Sequence, residues 1–203
     1  MKVRELAIAG AWEITPHVHT DSRGLFFEWF TASAFTEFAG HPFDLRQANC
    51  SVSAAGVLRG VHFAQLPPSQ AKYVTCLSGS VFDVVVDIRV GSPTFGKWDA
   101  VVLDPRNHRT VYLSEGLGHA FLALDDNSTV MYLCSADYAP GREHTINALD
   151  PAFDITWPAV DGEPILSDRD RDAPMLAEVQ AAGLLPTWDE TRKFIEQLRR
   201  SPK

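Results

Sequence analysis

The chain has 203 residues, enough for one domain with a full hydrophobic core, and its 45% apolar and 22% charged residues are those of an ordinary globular protein. No run reaches the ~20 apolar residues of a membrane helix. The opening Met1-Lys2-Val3-Arg4-Glu5-Leu6 has no long apolar stretch or cleavage site, so a cytoplasmic location is expected rather than a membrane or secreted one. A net charge of -8 argues against a nucleic-acid-coating surface, and a phosphate-bearing small ligand would need a local basic cluster.

A short helix is expected over residues 33–39, ended by Gly40. From Gln47 to Cys134 the chain reads as successive short strands: 47–53, 57–64, 71–77, 80–88, 97–103, 109–113, 118–124 and 129–134. They are rich in Val, Phe, Tyr, Thr and Leu and are separated by turn formers. Gly79 reads as a tight hairpin turn, and Gly91-Ser92-Pro93 and Asp104-Pro105-Arg106-Asn107 close other strands. The almost continuously apolar run 81–88 predicts a strand covered on both faces. Strands without intervening helices predict a sandwich or barrel with peripheral helices. One helix is expected over 174–182, with Pro174 in its first turn and Gly183 after its end. Another, over 188–199, carries Phe194, Ile195 and Leu198 on one face. Residues 1–203 are read as a single domain, with a helical segment at about 174–199.

Cys50, Cys76 and Cys134 are odd in number, widely spaced and set among apolar residues, which predicts buried reduced thiols rather than disulfides or a zinc site.

The stretch Gly56-Val57-Leu58-Arg59-Gly60-Val61-His62-Phe63 places an arginine and a histidine inside a strand-like apolar run. Alternation puts Leu58, Gly60, His62 and Ala64 on one face, Lys72, Val74 and Cys76 on another, and Val130, Tyr132 and Cys134 on a third. If those faces line the interior, His62, Lys72 and Tyr132 point into one cavity, with the groups needed for proton transfer at carbon. Arg59 has the wrong parity to join them unless Gly60 marks a bulge; otherwise it contributes from the rim. A second polar group centres on His119, between small residues. Gln47 and Asn49 share a strand face, and further polar clusters surround Arg23, Glu28, Glu143 and Arg169.

Taken together these pieces closely resemble the dTDP-4-dehydrorhamnose 3,5-epimerase family, with the character of an actinobacterial-type member. The resemblance rests on Asp-Ser-Arg-Gly-Leu-Phe-Phe-Glu at 21–28, Gln-Ala-Asn-Cys-Ser at 47–51, Gly-Val-Leu-Arg-Gly-Val-His-Phe at 56–63 and Gln-Ala-Lys-Tyr-Val at 70–74. It continues through Gly-Ser-Pro-Thr-Phe-Gly at 91–96, Tyr-Leu-Ser-Glu-Gly at 112–116, Leu-Asp-Pro at 149–151, Ile-Thr-Trp-Pro at 155–158 and Leu-Ser-Asp-Arg-Asp at 166–170. Ala120 stands where many members have glycine, and Arg169 where members often have lysine.

The resemblance implies a mainly β, cupin-type double-stranded β-helix or jelly-roll barrel with short peripheral helices. It also implies a homodimer with N-terminal strands exchanged across the interface. The implied general base is His62, oriented by Asp170. Tyr132 is the implied acid on the opposite side of the sugar, and Tyr138 the aromatic that stacks on thymine. Arg23, Glu28, Gln47, Asn49, Arg59, Lys72, His119, Glu143 and Arg169 are the implied binding residues. The expected reaction is inversion of C3 and C5 of dTDP-4-dehydro-6-deoxy-D-glucose. Lys72 would stabilise the enolate, and no cofactor or metal is needed. One alternative is an epimerase acting at C3 alone or C5 alone. A metal-dependent cupin is a weaker one, since His62 is followed by Phe63 and Ala64 where a paired ligand is needed. His17 and His19 have that spacing but read as a turn or edge beside Pro16. A non-catalytic sugar-binding barrel would not need His62, Asp170 and Tyr132 together.

Overall fold

Short segments of alternating polarity gain stability only by pairing and covering one face, and the computed structural model, which describes residues 1–200, shows how they do so. In chain order the elements begin with β1 (Lys2–Glu5), β2 (Ala11–Thr15), β3 (Val18–Asp21), β4 (Gly24–Phe27) and α1 (Ala32–Ala39). There follow β5 (Gln47–Ser53), β6 (Leu58–Ala64), β7 (Lys72–Ser78), β8 (Val81–Val86), β9 (Trp98–Leu103) and β10 (Thr110–Leu113). The chain continues with β11 (Gly118–Ala123), β12 (Ser128–Cys134), β13 (Glu143–Thr145), α2 (Asp168–Arg171), α3 (Leu176–Ala181) and α4 (Trp188–Arg200).

Two large antiparallel sheets result, ordered β1-β2-β10-β7-β12-β5 and β13-β6-β11-β8-β9, while β3 and β4 form a separate hairpin. Between the large sheets lies a core of Val74, Cys76 and Val130 from one and Val81, Val85 and Phe121 from the other. The outer face of the five-stranded sheet is covered by Phe153, Leu176, Val179 and Leu185. On the outer face of the six-stranded sheet, Tyr73 and Tyr112 pack against Phe35 and Ala39 of α1. The fold is the expected mainly β, cupin-like jelly roll with small helices. Burying one large apolar side chain is worth ~1.5–3 kcal/mol. A polar residue on the inner faces therefore gives up stability that an apolar one would supply.

Several local expectations change. Gly79 does not turn a hairpin, because β7 and β8 belong to different sheets. It carries the chain across the barrel with φ +68°, so close to Ser128 that a Cβ would lie 2.5 Å from its Oγ. Asp104 likewise accepts the backbone N–H groups of Arg106 and Asn107 in a turn that crosses between sheets. The strand expected over 80–88 ends at Val86: the Asp87 backbone still bonds Lys97 and Gly96, but its carboxylate accepts from Arg89, Ser92 and Thr94 and folds the following residues into a loop. Pro174 lies outside α3: its carbonyl accepts the N–H of Asn147, and the helix begins after Met175, whose N–H donates to Glu178 at 2.7 Å. Cys76 and Cys134 are buried, but Cys50 is exposed on the outer face of the edge strand β5. No positions were assigned to strands β1 to β4, implied only as exchanged N-terminal strands, or to β13. They are short, and β1 is exposed along its whole length, so little hydrophobic alternation marks it.

Candidate active site

The β6–β11 ladder pairs His62 with His119 and Arg59 with Phe121, so Gly60 and Val61 together oppose Ala120. The extra residue is a β-bulge. Gly60 sits at φ +112°, and a Cβ there would lie 2.5 Å from the His119 carbonyl oxygen. Only glycine fits. The bulge corrects the face expected from alternation: Leu58 joins Val61 and Phe63 in the outer cluster. Arg59 instead shares the inner side with His62, and its Nε donates to Ser53 Oγ at 3.2 Å.

Each of the two facing histidines has a carboxylate partner. His62 Nε2 lies 2.6 Å from Asp170 Oδ1, and His119 Nε2 lies 2.8 Å from Asp83 Oδ2. Asp170 is held in place because α2 is capped by Ser167, whose Oγ accepts the Asp170 N–H. Arg169, the preceding residue, donates from Nε to Thr145 Oγ1 and from Nη2 to the Glu143 carbonyl, tying α2 to β13. Thr145 is itself paired with His62.

From the opposite sheet comes Lys72, whose Nζ is 5.8 Å from the centre of the Tyr132 ring. Tyr132 stands opposite Asn49 in the β5–β12 ladder. The Asn49 amide donates to Cys134 Sγ and accepts from Gln47 Nε2, and Gln47 Oε1 accepts the backbone N–H of Tyr138. The exposed Tyr138 and the side chains of Glu143 and Arg169 line a groove of about 560 Å³. A cavity of about 550 Å³ beneath α4 is lined by none of the motif residues assigned to the site.

The surroundings set the charge states. Burial lowers the His62 pKa from its usual value; the hydrogen bond and charge of Asp170 push it back up, while Lys72 and Arg169 lower it further. The net result is an imidazole that stays neutral and basic around neutral pH. For Asp170 burial acts upward, but the His62 contact, Ser167 and Arg169 outweigh it and hold the carboxyl below the usual range. Burial lowers the Lys72 pKa, opposed by Cys134, Glu143 and Asp83. It raises that of Tyr132, partly offset by Asn49 and Arg59, which keeps the phenol protonated.

The interior and its rim thus bring together His62, Asp170, Lys72, Tyr132, Gln47, Asn49, Arg59, His119, Tyr138, Glu143 and Arg169. Arg23 and Glu28 are not with them. Arg23 sits at the tip of the β3–β4 hairpin, exposed and paired with Asp21 at 2.5 Å, and Glu28 is exposed just beyond it. Sequence reasoning gave no role to Asp83. Its signal was a carboxylate at an inward position of the otherwise apolar strand β8.

Comparison with known proteins bears on the family. Residues 5–178 match the profile of the dTDP-4-dehydrorhamnose 3,5-epimerase family. A dTDP-4-dehydrorhamnose 3,5-epimerase of Mycolicibacterium smegmatis is 74% identical over 201 residues, spanning 99% of this chain and 98% of its own. The solved rmlC epimerase of Mycobacterium tuberculosis superposes with a TM-score of 0.96 at 68% identity, covering 98% of this chain and 100% of that one. A 3'-monoepimerase from Streptomyces bikiniensis, solved in complex with dTDP-quinovose, gives 0.93 at 49% identity, covering 97% and 98%. A profile match over most of the chain and near-full-length identity of this order place the chain in the dTDP-4-dehydrorhamnose 3,5-epimerase family.

Proposed function

We propose that the protein is an isomerase that inverts C3 and C5 of dTDP-4-dehydro-6-deoxy-D-glucose to give dTDP-4-dehydro-L-rhamnose, for dTDP-L-rhamnose or related deoxysugar biosynthesis. The observation that carries the reading is the His62–Asp170 pair at 2.6 Å, in which a buried carboxylate holds a partly exposed imidazole whose pKa also feels Lys72. A hydrogen on carbon next to the C4 ketone is weakly acidic, and its removal requires a neutral base and a stabilised enolate. His62 takes the proton, and Asp170 fixes the ring and favours the imidazolium that forms. The Lys72 ammonium stabilises the negative charge at the C4 oxygen. Tyr132, kept protonated by burial, returns a proton from the other face, and the centre is inverted. Both reacting carbons flank the same ketone, so one enolate stabiliser serves both. Arg59 and Arg169 bind the diphosphate and Tyr138 stacks on thymine, with Gln47, Asn49, His119 and Glu143 as further substrate contacts.

A homodimer completes the site. The β3–β4 hairpin pairs with neither large sheet and presents Leu25, Phe26 and Arg23 to solvent. Its exchange with a second copy brings Arg23 and Glu28 to the partner's barrel. The outer face of β5, with Cys50 and Val52 exposed, offers further surface for that contact. No helix among the described residues is long and apolar enough to cross a membrane, and a cytoplasmic location belongs to the same proposal.

A second reading, inversion at C3 alone, is favoured by the likeness to the Streptomyces bikiniensis 3'-monoepimerase and to a dTDP-4-dehydrorhamnose 3-epimerase of Streptomyces niveus, 54% identical over 188 residues. Incubation of purified, EDTA-treated protein with dTDP-4-dehydro-6-deoxy-D-glucose, followed by NMR of the sugar ring, tests both. The L-rhamno product is expected. Unchanged sugar would remove the epimerase reading, and a product inverted at C3 alone would select the second one.

A further inference from the structure

Two arginines drawn into the protein are held in different ways. Arg89 is 2% exposed and gives Nε and Nη2 to Asp87, so its charge is matched by a carboxylate. Arg59 is half-buried on β6 and has no carboxylate partner among the described residues; its hydrogen bond runs from Nε to Ser53 Oγ at 3.2 Å. A hydroxyl fixes the plane of a guanidinium without cancelling its charge. With Nε taken, the terminal Nη1 and Nη2 edge is what remains to meet an anion. That edge carries the paired N–H groups that fit phosphate oxygens.

Ser53 ends β5, whose exposure alternates so that Gln47, Asn49, Ser51 and Ser53 share the inner face. Only 4% of Ser53 is exposed. Strand β5 belongs to the six-stranded sheet and β6 to the five-stranded one, so the contact joins the two sheets. The bulge at Gly60 turns Arg59 to the side of His62. Ser53 then ties the arginine to the strand face that carries Asn49, which stands opposite Tyr132 in the ladder. A buried hydroxyl costs stability unless its hydrogen bond is made, and here the partner is the arginine.

We propose that Ser53 is a positioning residue for diphosphate binding: it holds Arg59 by Nε, leaves its charge unneutralised and presents the Nη1–Nη2 edge to the phosphates of the substrate. The proposal rests on the epimerase reading and adds to it a residue that touches Arg59 rather than the substrate. It accounts for a hydroxyl beside Arg59 where Arg89, which has a structural task, is met by a carboxylate.

A double-mutant cycle on dTDP affinity separates this role from mere closure of the β5–β6 connection. Ser53→Ala should weaken dTDP binding by about 3–10-fold, the worth of one hydrogen bond, with the loss in KM rather than kcat. In the Arg59→Ala background the same change should cost under about twofold, because no guanidinium is left to hold. Ser53→Asp should bind dTDP more weakly than Ser53→Ala, since its carboxylate takes the cation from the phosphates. Equal losses in both backgrounds, unchanged affinity in Ser53→Ala, or wild-type affinity in Ser53→Asp would each overturn the proposal and leave the epimerase reading standing. A wild type that binds no dTDP would remove the epimerase reading, and this role with it. Should a variant fail to fold, 15N NMR of the wild-type Arg59 Nε–H, assigned by its loss in Arg59→Lys, decides. The signal should be protected from solvent exchange with and without dTDP. Exchange as fast as that of an exposed arginine would overturn the proposal.

Discussion

Arg59 and His62 are three residues apart on β6, yet both serve the inner side of the barrel, because Gly60 and Val61 are opposed by Ala120 alone. In a regular strand an odd separation would put them on opposite faces. The bulge is what puts the Arg59 and His62 side chains on the same side of β6, as the proposed roles of phosphate-binding cation and base require.

Gly60→Ala should therefore be severe. A methyl group would meet the His119 carbonyl and the Ala120 backbone in a conformation that L-residues avoid. A loss on the order of 3 kcal/mol is expected from strain and overpacking together. Urea denaturation checks it, and activity at low temperature should fall with it. A variant of wild-type stability and rate would show that the bulge is dispensable.

The pH dependence of Asp170→Asn has a definite sign. The Asp170 carboxylate raises the His62 pKa against the lowering effect of burial. Removing its charge lowers that pKa further, so the ring stays unprotonated to more acidic pH. The acid limb of the rate profile should shift downwards while the plateau falls by on the order of 10²–10⁴-fold. A limb that moves upwards would contradict the assignment of Asp170 to His62.

Arg59→Ala should weaken dTDP binding by about 10–100-fold, the worth of a charge-assisted contact. Arg23→Ala should do so only through the dimer. Mixing Arg23→Ala with an inactive His62→Ala chain should then give mixed dimers in which one site of two combines an intact hairpin with an intact barrel, at up to about half of normal activity per mixed dimer and about a quarter for a randomly reassorted equimolar mixture. Calorimetry and a mixing assay measure the two effects. Unchanged dTDP affinity in both variants would contradict the basic cluster.

Much of this site was legible because its chemistry is written in short motifs: His62, Lys72, Tyr132, Asp170 and their neighbours are all read in place from the sequence. The strand faces were legible only where pairing is regular. Leu58 was placed inward because alternation cannot see a bulge, although Gly60 marked where one was possible. Gly79 was read as a hairpin because a glycine turn looks the same whether the chain returns to its own sheet or crosses to the other. The N-terminal strands were implied only by the resemblance and their positions were not legible, because β1 and the β3–β4 hairpin bury little of themselves in this chain. Asp83 passed as one polar residue in a buried strand, since its meaning depends on His119 lying 36 positions away.

His62 as the base for both centres is decided most directly by deuterium. The wild-type protein is incubated with dTDP-4-dehydro-6-deoxy-D-glucose in deuterated water, and label at C3 and C5 is mapped by NMR. His62→Ala is run beside it, with dTDP affinity measured to show that the site is intact. Deuterium should enter both carbons with the wild type, and its incorporation should fall by about 10²–10⁴-fold at both in His62→Ala, without loss of dTDP binding. Wild-type exchange in His62→Ala, or label confined to one carbon after long incubation of the wild type, would contradict it.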